Sequence, residues 1–230
     1  MKDFSELEIN LGCKFKDPDL LRQSLVHRSY LNENPGFNLP HNERLEFLGD
    51  AVLELIVTEY LYNNYPNPEG DLTNWRAALV NANMLGVIAT ELGLENFLYL
   101  SRGEAKDSGG KARQYILANA IEAVIGAIYL DQGFVTVTDF VNRTIISKLG
   151  EVLEKSLYID PKSRFQELSQ ENFSVTPHYL VLSENGPDHA KIFKVGLYIG
   201  EEMIATGEGS SKQEAQVAAA EAGLKAKGWI

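Results

Sequence analysis

The residues best suited to carry out chemistry are acidic side chains on a helix predicted for residues 43–62. Glu46 and Asp50 are four residues apart, and Glu43 precedes Glu46 by three residues. Side chains at these spacings lie on nearly the same face of a helix. Carboxylates placed among apolar residues are costly unless they are paired or bind a metal ion. The pattern indicates a metal site, although a solvated acidic stripe with salt bridges to Arg44 would have the same spacing.

A second predicted helix, residues 115–130, carries the other candidate ligands. Asn119 and Glu122 interrupt an otherwise apolar run, and polar groups in such a position need a partner. Small residues that would let the two helices approach closely are Gly49, Ala51, Ala118, Ala120 and Gly126. If Asn119 and Glu122 face Glu46 and Asp50, the four side chains form an all-oxygen site, which suits Mg²⁺. Spacing alone leaves a buried structural hydrogen-bond network as the alternative.

The elements that must position these residues are helices over about the first 155 residues. We predict helices at 43–62, 72–80, 83–92, 115–130 and 137–153. The polar, glycine-rich segment 101–110 is predicted as a loop.

The pattern changes after Tyr158. Pro161 opens a short helix, and three strand-like runs follow at 177–183, 191–198 and 203–208. Ser210 and Ser211 precede an alanine-rich helix at 212–226. We therefore predict an all-α domain at residues 1–157, followed by an α+β domain of order α-β-β-β-α at residues 158–230.

Composition and charge limit the class of protein. No apolar run approaches the roughly 18–20 residues that span a bilayer, so no membrane segment is expected. The single cysteine, Cys13, fits a reducing compartment, and we expect a cytoplasmic location. The net charge is −11, with 14 Lys and Arg against 22 Asp and Glu before residue 160, and 7 against 10 from there on. A nucleic-acid partner would therefore be bound with moderate, salt-dependent affinity.

The segment from Asn42 to Asp50 closely resembles the signature of bacterial ribonuclease III. Matches to the same family lie at residues 25–30, 69–77 and 116–123, and with the second domain the resemblance covers essentially the whole chain. It implies an all-helical ribonuclease III domain followed by a double-stranded-RNA-binding domain. It also implies a homodimer that cuts double-stranded RNA with Mg²⁺, or with Mn²⁺ in its place, leaving 5′-phosphates and two-nucleotide 3′ overhangs.

Carried over residue by residue, the resemblance makes Glu46, Asp50 and Glu122 metal ligands, with Asp50 and Glu122 central to catalysis. Glu43 and Glu69 match acids of the cleavage groove or the dimer interface. Asn119 stands where the family usually has Asp, so it offers an amide oxygen without a charge. Three interpretations remain: an active natural variant with a higher metal requirement, which we favour; a protein that binds without cutting; and an engineered substitution.

The second domain resembles double-stranded-RNA-binding domains in three regions. The first region matches Ser163, Gln166 and Glu167, and the second matches the turn at 186–189, which carries His189. The third region begins at Ser211 and Lys212, where a helix N-terminus and a cation would face phosphate. Gln213 stands where the family commonly has a second basic residue, so weaker phosphate contact is expected.

Overall fold

The structure is a computed structural model that describes residues 2–106, 110–158, 160–187 and 191–229. The chain divides into two compact units, Met1–Tyr158 and Ile159–Ile230. In the described part of the chain, no helix has the length and apolar character needed to cross a membrane.

The first unit is helical. Its α-helices are α1 Ser5–Leu11, α2 Pro18–Ser24, α3 Arg28–Glu33, α4 Glu43–Asn64, α5 Glu69–Val80, α6 Ala82–Glu91, α7 Arg102–Lys106, α8 Lys111–Gln132, α9 Phe134–Thr144 and α10 Leu149–Glu154. Single 3₁₀ turns lie at Leu94–Phe97 and Ile146–Lys148. Helix α8 is the central element, because from Leu117 to Ile128 nearly every side chain is buried. A helix that is apolar on most faces has to lie inside a core, and this prediction from the sequence is confirmed.

Two predictions about the first unit are wrong. The predicted single helix at 137–153 is broken after Thr144, because Thr144, Ile145 and Ile146 are consecutive β-branched residues with low helix propensity.

Within the predicted loop at 101–110, residues 102–106 form α7. The hydroxyl of Ser101 starts this helix by accepting a hydrogen bond from the backbone N–H of Glu104 at 3.2 Å. Residues 107–109 lie outside the described residues.

The second unit has the predicted order α-β-β-β-α. Its elements are α11 Pro161–Phe173, β1 His178–Asn185, β2 Ile192–Ile199, β3 Glu202–Gly209 and α12 Lys212–Ala226. The strands form an antiparallel sheet in the order β1-β2-β3. Helix α12 packs on β2 and β3, and α11 packs on α12. Phe165, Leu197 and Leu224 are fully or almost fully buried in the core between them.

Candidate active site

Helices α4 and α8 cross at two glycines. A Cβ added at Gly49 would overlap the backbone carbonyl of Glu122, and one added at Gly126 would overlap the carbonyl of Leu45. Only glycine permits backbones to approach this closely. The crossing therefore brings α4 against α8 at Glu122, and the small residues in the sequence predicted this close approach.

The electrostatics show which carboxylates share this region. The pKa of Glu122 is raised from 4.5 to about 7, mainly by burial and then by the charges of Asp50, Glu46 and Glu54. Burial also raises the pKa of Glu46, followed by the charges of Glu43 and Asp50. Every charged group that moves the pKa of Glu122 is a carboxylate, so the site concentrates negative charge that a bound cation would relieve.

Oxygen donors are the right chemistry for a hard divalent cation. Glu46, Glu122 and Asn119 are half-buried, and Asp50 is exposed, so solvent can reach the region. Among the described residues, no group of three or more His, Cys, Asp or Glu side chains is gathered so as to hold a metal ion. The carboxylates are thus close enough to raise the pKa of Glu46 and of Glu122, but their side-chain conformations do not form a closed ligand set.

Glu54 is a member of this cluster that the sequence analysis did not single out. Its carboxylate forms an ion pair with Arg76 of α5, with Nε–Oε2 at 2.9 Å. The same guanidinium donates to the hydroxyl of Thr58 at 2.9 Å. Arg76 therefore fastens α5 to α4 one turn beyond Asp50. The spacing of Glu46, Asp50 and Glu54, at i, i+4 and i+8, was the available signal in the sequence.

The two predicted groove acids lie near opposite ends of α4. Glu43 contacts Arg28 at 3.5 Å and His41 at 3.8 Å. Glu69 is exposed at the start of α5, where it lines a surface cavity of about 680 Å³ together with Tyr62 and other residues of α4 and α5. Neither Glu43 nor Glu69 is among the groups that shift the pKa of Glu122.

The predicted RNA-binding residues lie at the start of the two helices of the second unit. Ser163, Gln166 and Glu167 are exposed on α11, and the Ser163 hydroxyl donates to Asp160 at 2.7 Å. The hydroxyl of Ser211 accepts a hydrogen bond from the backbone N–H of Glu214, so it is the predicted N-cap of α12. The Lys212 ammonium lies 3.4 Å from the carboxylate of Glu184. His189 lies outside the described residues.

Two family models match the chain. Residues 17–149 match the model described as Ribonuclease-III-like, and residues 161–227 match the one described as Double-stranded RNA binding motif. Ribonuclease 3 of Borreliella afzelii (strain PKo) is 44% identical over 223 residues, which cover 96% of this chain and 90% of the relative. The chain belongs to the ribonuclease III family.

Other members of the ribonuclease III family resemble the chain to a similar degree. Ribonuclease 3 of Dehalococcoides mccartyi (strain CBDB1) is 42% identical over 98% of this chain and 95% of the relative. The crystal structure of the ribonuclease III nuclease domain from Campylobacter jejuni is 43% identical, with a TM-score of 0.57, and covers 64% of this chain and 97% of that chain. The predicted fold class is confirmed, and the chain is an endoribonuclease with a double-stranded-RNA-binding domain.

Proposed function

We propose that this chain hydrolyses phosphodiester bonds of double-stranded RNA with Mg²⁺, or with Mn²⁺ in its place. The products would carry 5′-phosphate and 3′-hydroxyl ends with two-nucleotide 3′ overhangs. Ribosomal-RNA precursors and messenger RNAs in the cytoplasm are the substrates that the family resemblance implies. The observation that carries the proposal is the carboxylate cluster at the α4–α8 crossing, where burial and then the charges of Asp50, Glu46 and Glu54 raise the pKa of Glu122 to about 7.

The residues that would hold the cation are Glu46, Asp50 and Glu122, with the amide oxygen of Asn119. When bound there, Mg²⁺ would supply Lewis-acid polarisation of a phosphoryl oxygen and lower the pKa of a water molecule. Asp50 and Glu122, the proposed catalytic pair, come from different helices whose separation is fixed by Gly49. The Asn119 amide can also donate hydrogen bonds from its NH₂ group, which an aspartate could not do.

A homodimer is supported by an exposed apolar stripe on α4. Phe47 is 81% exposed, Leu55 57% and Tyr62 77%. At 100° per residue these three side chains lie within about 80° of one another around the helix. Large exposed side chains in one row are typical of a surface that another molecule covers. The ribonuclease III nuclease domain from Campylobacter jejuni has a region involved in dimer formation.

The position of the stripe favours a two-fold dimer with antiparallel α4 helices. Leu55 lies midway between Phe47 and Tyr62, so a two-fold axis near Leu55 would set the Phe47 end of one helix against the Tyr62 end of the other. The 680 Å³ cavity lies at that end. Each Phe47 would then have an apolar recess to fill.

Double-stranded-RNA binding by the second domain, residues 158–230, is proposed for the exposed starts of α11 and α12. Ser163, Gln166 and Glu167 would reach one minor groove, with His189 of the β1–β2 turn reaching the next. Ser211 and Lys212 would contact the phosphates between them, because α12 offers backbone N–H groups and a cation there.

An alternative function is a dimer that binds double-stranded RNA without cutting it. The observation that favours this alternative is the neutral Asn119, which stands where the family usually has Asp. The test is cleavage of an RNA duplex of about 30 base pairs, since one such RNA-binding domain spans roughly 16 base pairs. The unaltered chain, Asn119→Asp and Glu122→Ala are compared in Mg²⁺, and binding is measured separately in Ca²⁺.

Cutting by the unaltered chain that is lost in Glu122→Ala would support the enzyme and show that an amide is sufficient at position 119. Cutting by Asn119→Asp alone would support the alternative, a binding protein whose site is otherwise complete. If neither chain cuts RNA that both bind, the nuclease proposal is wrong.

A further inference from the structure

Lys162 of α11 makes an unusual contact with α12. Its ammonium donates to the side-chain oxygen of Gln216, with Nζ–Oε1 at 2.7 Å. The same ammonium lies 5.4 Å from the centre of the Tyr179 ring. Lys162 is half-buried, so the long side chain runs along the domain and its charged end is fixed by two partners.

This contact places the Lys162 charge beside the predicted RNA-binding residues. Gln216 follows Lys212 by four residues on α12, so the two side chains lie one turn apart on the same face of the helix. Lys162 also precedes Ser163, which the family resemblance assigns to RNA contact. The Lys162 ammonium therefore lies next to the face of α12 that carries Lys212 and Gln216.

The ammonium groups of Lys212 and Lys162 have different kinds of partner. The Lys212 ammonium lies 3.4 Å from the carboxylate of Glu184, so part of its charge is compensated within the protein. The partners of Lys162 are a neutral amide and an aromatic ring. Asp160, the carboxylate at the start of α11, accepts hydrogen bonds from the backbone N–H and the hydroxyl of Ser163. A cation whose direct partners are neutral is not compensated by an ion pair, so it keeps more of its attraction for a phosphate.

We propose that Lys162 is an additional phosphate-contacting residue of the double-stranded-RNA-binding domain, and that Gln216 holds its ammonium in line with Lys212. The proposal rests on the double-stranded-RNA binding proposed above and is independent of cleavage. It accounts for how an acidic domain with glutamine at position 213 presents a second cation to the duplex. This second cation, Lys162, lies on α11, whereas Lys212 lies on α12.

The experiment measures binding of the full-length chain to a labelled RNA duplex of about 30 base pairs in Ca²⁺, between roughly 50 and 200 mM salt. Lys162→Gln removes the charge and keeps a polar side chain. We expect the dissociation constant to be several-fold higher. The slope of log affinity against log salt concentration should be smaller in magnitude by about 1, the value for one lost phosphate contact. Lys162→Arg keeps the charge and should restore both quantities to nearly their original values.

Gln216→Glu separates RNA contact from a merely structural role. The new carboxylate would pair with Lys162, which should leave the melting temperature of the domain equal or higher. RNA binding should nevertheless weaken, because the Lys162 charge is then neutralised within the protein. The matched control is Lys225→Gln, since Lys225 is exposed on the same helix about 20 Å from its start. This control should bind nearly as the unaltered chain does.

Unchanged affinity and slope in Lys162→Gln, or unchanged binding in Gln216→Glu, would overturn the role of Lys162 while leaving RNA binding intact. An equal loss in Lys225→Gln would also overturn it, because the effect would then be one of net charge. An unaltered chain that does not bind the duplex would instead refute RNA binding itself, and the role of Lys162 with it.

Discussion

Gly49 of α4 lies against the backbone carbonyl of Glu122 on α8, so close that any side chain at position 49 would overlap that oxygen. The reciprocal contact of Gly126 with Leu45 closes the other side of the crossing. The distance between the acids of α4 and Glu122 is thus set by backbone atoms, which cannot move aside as flexible side chains can. The same helix crossing therefore determines the packing of the core and the separation of the candidate site residues.

Gly49→Ala should therefore destabilise the nuclease domain and reduce cleavage together. Overpacking costs roughly 1–3 kcal/mol or more, which corresponds to a melting temperature lower by at least a few degrees. The matched control is Gly150→Ala, because Gly150 also lies in a helix but has open space around its Cβ position. That control should be stabilised by up to about 1 kcal/mol, as alanine favours helix. Thermal unfolding of Gly49→Ala equal to that of the control would contradict the close contact.

The pH dependence of stability should report the charge on Glu122. Its pKa is raised from 4.5 to about 7 by burial and then by Asp50, Glu46 and Glu54. The folded state then binds the proton more tightly than the unfolded state does, so stability is full below about pH 4.5 and falls as the pH rises through 7. The loss is at most about 3 kcal/mol, and solvent contact makes it smaller.

Thermal unfolding without divalent metal should show this loss between about pH 5 and pH 8. Glu122→Gln carries no titrating carboxyl and should show a flatter profile over the same range. Added Mg²⁺ should flatten the profile of the unaltered chain, because a cation stabilises the ionised form. A profile equally steep in Glu122→Gln would assign the pH dependence to other groups.

Arg76 should act on the candidate site through Glu54. Its Nε lies 2.9 Å from the Glu54 carboxylate, and Glu54 is one of the charges that raise the pKa of Glu122. Arg76→Met leaves Glu54 without this counter-ion, so the acid limb of the pH–rate profile should move up by roughly half a pH unit to one unit. In the double variant Arg76→Met with Glu54→Gln, the acid limb should return towards its position in the unaltered chain.

The comparison for Arg76 is Lys148→Met, which breaks the ion pair of Lys148 with Glu91, 2.8 Å apart in the same domain. The acid limb of the pH–rate profile of Lys148→Met should not shift. A double variant that behaves like Arg76→Met alone would show that Arg76 acts by some route other than Glu54.

Phe47→Asp should weaken self-association. Phe47 is 81% exposed, and burying a side chain of this size contributes about 1.5–3 kcal/mol, so the dimer dissociation constant should rise at least roughly tenfold. Sedimentation equilibrium should show a shift from twice 25.6 kDa towards 25.6 kDa. Ile9→Asp is the matched control, since Ile9 is 78% exposed on α1. If both variants dissociate alike, or neither does, the stripe on α4 is not the interface.

The features that the sequence predicted well depend on local spacing. Helix α4 and the i, i+4 relationship of Glu46 and Asp50 follow from periodicity, and the start of α12 follows from a capping serine. The glycines that permit the helix crossing could be recognised because a small residue in an apolar helix needs a packing reason.

The remaining features depend on contacts between residues far apart in sequence. Glu54 resembles any surface glutamate until Arg76, 22 residues away, is placed against it. The contact between Lys162 and Gln216 spans 54 residues. Helices α1, α2 and α3 have six or seven residues each, too few to be stable without tertiary packing, so periodicity could not reveal them. Such features require the three-dimensional arrangement.

The amide at position 119 has a consequence for the protein when metal is scarce. Glu122 already shares its surroundings with three other carboxylates, and a further one at position 119 would add repulsion. Asparagine adds no such charge, so we expect the nuclease domain without divalent metal to be more stable at neutral pH than that of Asn119→Asp. We also expect the unaltered chain to bind a divalent cation more weakly than Asn119→Asp does, which would be a compromise between stability and activity.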